Sequence, residues 1–92
     1  MAKGSQMNID KSVFTTTYIL ESKFPIIYIV HDDDDEWQFL GGQQVEEKHL
    51  MIVSLKNILD YDKSIESILD LPKGFEAYRE DIGDKWQITK SI

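Results

Sequence analysis

A chain of 92 residues without cysteine, carrying 17 acidic against 10 basic side chains and a formal charge of -7, narrows the field before any motif is read. There is room for one domain with one modest core, and the missing thiols exclude disulfides, thiolate zinc sites and a cysteine nucleophile. The acidity argues against nucleic acid and anionic membranes as partners and favours a basic protein, while serving solubility in any case.

In chain order, MAKGSQMNID lacks the apolar centre of a signal peptide. No apolar run approaches the roughly 20 residues that cross a bilayer, so a cytoplasmic setting is expected. Residues 1–12 are small and polar and are expected to be disordered. Met7 offers a start of its own, with MAKGSQ as an appended leader. A single domain is expected over residues 13–92.

VFTTTYIL (13–20) is rich in β-branched and aromatic residues. It reads as a strand, or as a short strand followed by a helical turn. Pro25 bars a helix through ESKFP. IIYIVH (26–31) is apolar on both faces, as in a central strand. WQFL (37–40) places Trp37 and Phe39 on one face. Between these two runs lie Asp32 to Glu36, which predicts a hairpin with an acidic loop.

Gly41 and Gly42 open a polar loop, GGQQVEEKH. LMIVS (50–54) reads as a strand whose last residue, Ser54, caps a helix. Leu55, Ile58 and Leu59 share one face of that helix. Asp60 and Asp62 interrupt it, and Asp62 caps a second short helix with Ile65, Ile68 and Leu69 as its stripe. Pro72 and Gly74 end it. FEAYRE (75–80) alternates like a strand, DIGD (81–84) reads as a turn, and KWQIT (85–89) as the closing strand. This order predicts an α+β fold: an antiparallel or mixed sheet of about five short strands with two short helices packed on one face.

The acidic run admits three readings. As a calcium loop counted from Asp32, it places Trp37 where the sharp-turn glycine belongs and Gln43 where the bidentate glutamate belongs. Counting from Asp60 puts Ile65 and Leu71 at those positions. No metal or cofactor site is therefore expected, beyond the weak hold that adjacent carboxylates have on a divalent ion. As structure, the run is a solvated hairpin tip, where water screens the repulsion. As a binding face, Asp32, Asp33, Asp34, Asp35 and Glu36, together with Glu46 and Glu47, would dock a basic patch. Such charges raise association rate and specificity more than affinity.

His31 beside Asp32 suggests an acid–base pair, yet no motif brings a nucleophile near it. Ser54, Ser64 and Ser67 fall at caps or exposed helix positions, and His49 lies in a polar loop. The two histidines lack H-x-x-x-H spacing. The glycine pair lacks phosphate-loop spacing. Trp37 and Trp86 are expected in the core on neighbouring strands; an exposed Trp would instead anchor an interface. Arg79 falls on the side of Phe75 and Ala77, opposite Tyr78, and is expected to pair with an Asp or Glu.

Taken together, PIIYIVHD (25–32), WQFLGG (37–42), VSLKNIL (53–59), D-x-S-I (62–65), LDLPKG (69–74) and AYRE (77–80) form a pattern. It resembles small bacterial proteins related to the Imm33-like immunity proteins of polymorphic toxin systems. The segment before Trp37 is shorter and more uniformly acidic here than in those domains, and their glycine pair is not constant. The resemblance implies a non-enzymatic protein that binds and neutralises a toxin made by the same or a neighbouring cell. It brings no catalytic set; Trp37, Phe39, Leu71, Pro72 and Gly74 are explained by core filling and chain turning.

Three functions are thus in view. The first is a protein-binding module that occludes a basic surface, such as that of a toxin. The second is a structural or regulatory homodimer built on a sheet edge, with 85–89 as that edge and Lys85 and Lys90 guarding it. The third is a small metal-dependent hydrolase around His31 and Asp32 to Asp35.

Overall fold

The computed structural model describes residues 8–91. Six strands form one mixed sheet: β1 (Ser12–Thr16), β2 (Tyr28–His31), β3 (Trp37–Leu40), β4 (Leu50–Ser54), β5 (Phe75–Tyr78) and β6 (Gln87–Lys90). Their order is β4-β1-β3-β2-β5-β6. Every pair is antiparallel except β1 and β3, which run parallel with Phe14 opposite Gln38. The α+β class holds, with one strand more than expected.

Helical structure is short. Helix α1 (Thr17–Leu20) follows β1 directly, and α2 (Leu55–Tyr61) follows β4. Two 3-10 segments, Glu47–His49 and Lys63–Ile68, complete the helical elements among the described residues. Ser54 caps α2 by accepting the Asn57 N–H at 3.3 Å, and Asp62 caps the second 3-10 segment by accepting the Ser64 N–H at 3.0 Å.

Side chains alternate across a strand, so register decides which of them meet. Val13, Ile29, Trp37, Phe39 and Ala77 share one face, where they are buried with Ile19, Leu55, Ile58, Ile65, Ile68 and Leu71. All helical segments that bury side chains therefore lie on that single face. Burying one such aliphatic or aromatic side chain contributes about 1.5–3 kcal/mol, and this cluster is the core that a small domain needs.

Residues 8–12 depart from the expected disorder. The Lys11 and Ile9 carbonyls accept the N–H groups of Leu55 and Lys56, both at 2.9 Å, and tie this segment to the start of α2. The remainder of that expectation, residues 1–7, lies outside the described residues. The closing strand also begins two residues later than expected, at Gln87. Trp86 stays out of it and lies over the Arg79 guanidinium, 4.2 Å from its carbon to the ring centroid. Trp37 and Trp86 are not on neighbouring strands: β2 and β5 separate β3 from β6.

Candidate functional site

The acidic run forms the turn between β2 and β3. The Asp35 N–H donates to the Asp32 carbonyl and the Asp32 N–H to the Glu36 carbonyl, both at 3.0 Å. Asp35 sits at φ 67, the left-handed conformation that a short polar side chain tolerates. This is a three-residue hairpin loop closed by a residue in left-handed geometry. The Asp32 carboxylate accepts the Asp34 and Glu36 N–H groups at 2.9 and 3.0 Å, so this charge serves the turn itself.

Asp35 folds back on the strand it has just left. Its carboxylate accepts the His31 Nε2–H at 2.7 Å and lies 3.5 Å from Lys11 Nζ. The His31 bond above all, with Lys11 and Lys73 nearby, holds the Asp35 carboxyl below the usual range of an aspartate. His31 Nδ1–H donates to the Leu71 carbonyl at 2.6 Å, and its ring stacks on Trp37 at 4.0 Å. Both ring nitrogens thus face oxygen partners, the Leu71 carbonyl and the Asp35 carboxylate. The pairing partner is Asp35, not the adjacent Asp32. Both nitrogens are engaged by protein groups, and His31 is 7% exposed. This histidine joins the hairpin to Leu71, in the loop that follows the second 3-10 segment.

Asp33, Asp34 and Glu36 remain exposed. Asp33 stands beside Gly74, where a Cβ would come within 2.9 Å of its carboxylate and where φ is 83. Gly74 itself continues the ladder: its N–H donates to the His31 carbonyl and its carbonyl accepts the Ser91 N–H, both at 2.7 Å.

Glu46 and Glu47 lie elsewhere. They precede β4, whose first residue, Leu50, pairs with Thr16 at the end of β1. The hairpin tip adjoins His31 and Trp37, at the opposite end of the strands. The two acidic groups flank the sheet from its two ends and do not form one continuous patch. His49, in the second group, accepts the Glu46 N–H at 3.0 Å and packs on Tyr18 with ring centroids 4.7 Å apart. Among the described residues no group of three or more His, Asp or Glu converges to hold a metal ion.

Between the two acidic ends lies the feature that the residue pattern did not single out. The face of the sheet opposite the core carries Phe14, Ile52, Leu40, Val30, Tyr28 and Tyr78 in adjacent rows, as the register dictates. None of these joins the core cluster or packs against it. Ile52 is 66%, Leu50 47% and Tyr78 42% exposed. Glu76 sits in the same row as Val30, and its carboxylate accepts the Tyr28 hydroxyl at 2.7 Å and the Ser91 hydroxyl at 2.8 Å. Burial and this carboxylate push the Tyr28 hydroxyl up to about 12.

A second polar cluster is structural. Arg79, 2% exposed, donates to the Asp62 carboxylate at 2.8 Å, the Ser64 hydroxyl at 3.1 Å and the Ile26 carbonyl at 3.0 Å. Partial burial raises the Asp62 carboxyl, but the Ser64 hydrogen bonds and Arg79 outweigh it and hold the group below its ordinary value. The expected ion pair of Arg79 is this one. It stitches the end of β5 to the second 3-10 segment and to the entry of β2. An open cleft of about 410 Å³ beside it, lined by Tyr78, Glu80, Asp84, Lys85 and Gln87, presents mixed charge.

No helix among the described residues is long and apolar enough to cross a membrane. Compared with family models, with curated proteins and with solved structures, the chain finds no match.

Proposed function

We propose that this protein is a binding module without catalytic chemistry of its own, and that it docks a basic partner protein on the uncovered face of its sheet. The observation that carries this reading is a face outside the core cluster on which Ile52 and Phe14 lie side by side, Val30 follows across Gln38 in the same row, and Leu40 with Tyr28 and Tyr78 makes the next row. A sheet face rich in apolar and aromatic side chains with interspersed polar ones, here Gln38 and Glu76, is the kind of surface that marks interaction sites in soluble proteins. The acidic groups at the two ends of the strands would then border the docked partner, speed its approach and select a basic one. Apolar contact supplies affinity in this arrangement, and the carboxylates supply steering. This refines an occlusion mechanism resting on the loops alone, because Asp32 and Asp35 are already engaged within the turn.

A toxin neutralised by occlusion is the narrower form of the proposal. It is supported by the resemblance of the WQFLGG and LDLPKG segments to immunity proteins and by the charge of -7. The hydrolase reading draws no comparable support, since His31 spends both nitrogens on structural bonds.

The test is affinity capture from a lysate of the native host with three baits: the natural chain, a Val30→Lys/Leu40→Lys variant, and a variant with Asp33, Asp34 and Glu36 made neutral. Circular dichroism checks that each bait is folded. The reading expects one stoichiometric basic protein, lost with the first variant and bound more slowly by the second. Capture unchanged by the lysines would refute the sheet face as the docking surface.

A further inference from the structure

The two edges of the sheet are not equivalent. Strand β6 is four residues long, ends in Lys90 and is preceded by Lys85. Those charges are the usual guards of an edge. Strand β4, LMIVS, has five residues and no charge at all. Its inner side is paired with β1 along its whole length. The Leu55 N–H donates back to Lys11 of the β1 side, so by the two-residue alternation of an antiparallel ladder the backbone groups of Leu50, Ile52 and Ser54 point away from the sheet. Among the described residues no strand pairs with them. Ile52, at the centre of this edge, is 66% exposed, more than any other large hydrophobic residue described.

We infer that β4 is a self-association edge, and that two copies of this chain pair β4 to β4 in antiparallel fashion about a two-fold axis at Ile52. The strand is self-complementary in that register. Ile52 faces its own copy, Leu50 faces Ser54, and Met51 faces Val53 on the helix side, so only the Leu50–Ser54 pairing is not wholly apolar. Charge begins only outside the strand: Lys48 and Lys56, which this register brings to the same end, are each paired within their own chain, with Glu46 at 3.8 Å and Asp60 at 3.0 Å. The result is a closed two-fold pair with one continuous sheet, in which the uncovered faces of both copies become one surface. The expectation that 85–89 supplies the pairing edge is thereby reversed: the guarded edge stays free and the unguarded one pairs.

Pairing through β4 does not depend on the docking role of the sheet face, because it needs no partner protein. Sedimentation equilibrium of the full chain, across a wide concentration range, is the first arm. It should show a mass that doubles with concentration, and association that strengthens with added salt as the repulsion between two acidic copies is screened. Binding of a basic partner would weaken with salt, which separates the two events. Ile52→Lys places two lysines face to face and should weaken the pairing by more than about tenfold, whereas Ile88→Lys on β6 should leave it unchanged. In a second arm, Ile52→Cys and Ile88→Cys are each treated with a short bismaleimide; the chain has no other cysteine. Crosslinked dimer should form at position 52 and not at 88. A single-chain mass at every concentration would overturn the inference, as would a doubled mass untouched by Ile52→Lys or equal crosslinking at both edges.

Discussion

Replacing Arg79 by methionine tests how the two halves of the fold are joined. The guanidinium is buried and binds Asp62, Ser64 and the Ile26 carbonyl; methionine keeps much of the apolar stem and none of the donors. Breaking a buried pair from one side costs about 3–5 kcal/mol, and a buried carbonyl left without its donor accounts for about 1–3 kcal/mol of such a loss. Asp62 keeps the Ser64 N–H and hydroxyl bonds, at 3.0 and 2.7 Å, so the expected loss is at the lower end, about 3 kcal/mol. A domain of this length has roughly 5–14 kcal/mol in total, so the variant folds but with a much lower urea midpoint. Urea unfolding read by tryptophan fluorescence measures it directly, since Trp86 covers Arg79. Asp62→Asn and the double variant complete a cycle whose coupling should exceed about 1 kcal/mol. A loss below about 1 kcal/mol for Arg79→Met, or single losses that simply add, would refute the account of this cluster.

Three further outcomes are expected. Asp35 and Asp62 both have carboxyls held below their ordinary values, the first by His31 and the second by Ser64 and Arg79 against the opposing effect of burial. A depressed carboxyl contributes stability that is complete above the unfolded value near 3.9 and is lost as pH falls through the folded value. Melting temperature should therefore drop below about pH 4, and Asp62→Asn should make that drop shallower in a calorimetric pH series. Within the acidic run, Asp32→Ala and Asp35→Ala should lower the melting temperature, because each removes bonds of the turn, while Asp33→Asn and Asp34→Asn should leave it nearly unchanged. Ultraviolet titration of the tyrosines should show Tyr28 ionising near 12, and Glu76→Gln should bring it down.

The elements are largely legible in the chain because each announces itself locally. YIVH and LMIVS are strands by composition, Ser54 and Asp62 cap the helical segments after them, and Pro72 with Gly74 closes the helical stretch. Anything set by non-local register is hidden. The parallel pairing of β1 with β3 places Glu46 and Glu47 at the far end from the hairpin tip, and no spacing in the chain encodes that. His31 finds Asp35 and not Asp32 because the left-handed residue turns the loop back, a geometry that a run of four identical aspartates conceals. The uncovered face is half visible. Apolar residues on both sides of IIYIVH mark a central strand, which β2 is. Whether a second layer lies on Val30 depends on where every helix goes, and here the helices that bury side chains all go to the other side.

Side-chain footprinting of the complex is the most direct measurement of the central claim that the uncovered sheet face is the binding surface. Hydroxyl-radical oxidation of the free and partner-bound protein, read by mass spectrometry, compares Phe14, Leu40 and Tyr78 on that face with Phe24 and Ile82, exposed residues outside its rows. The account predicts protection of the first three and none of the last two. Protection confined to the helix-covered side, or to the hairpin tip alone, would contradict it.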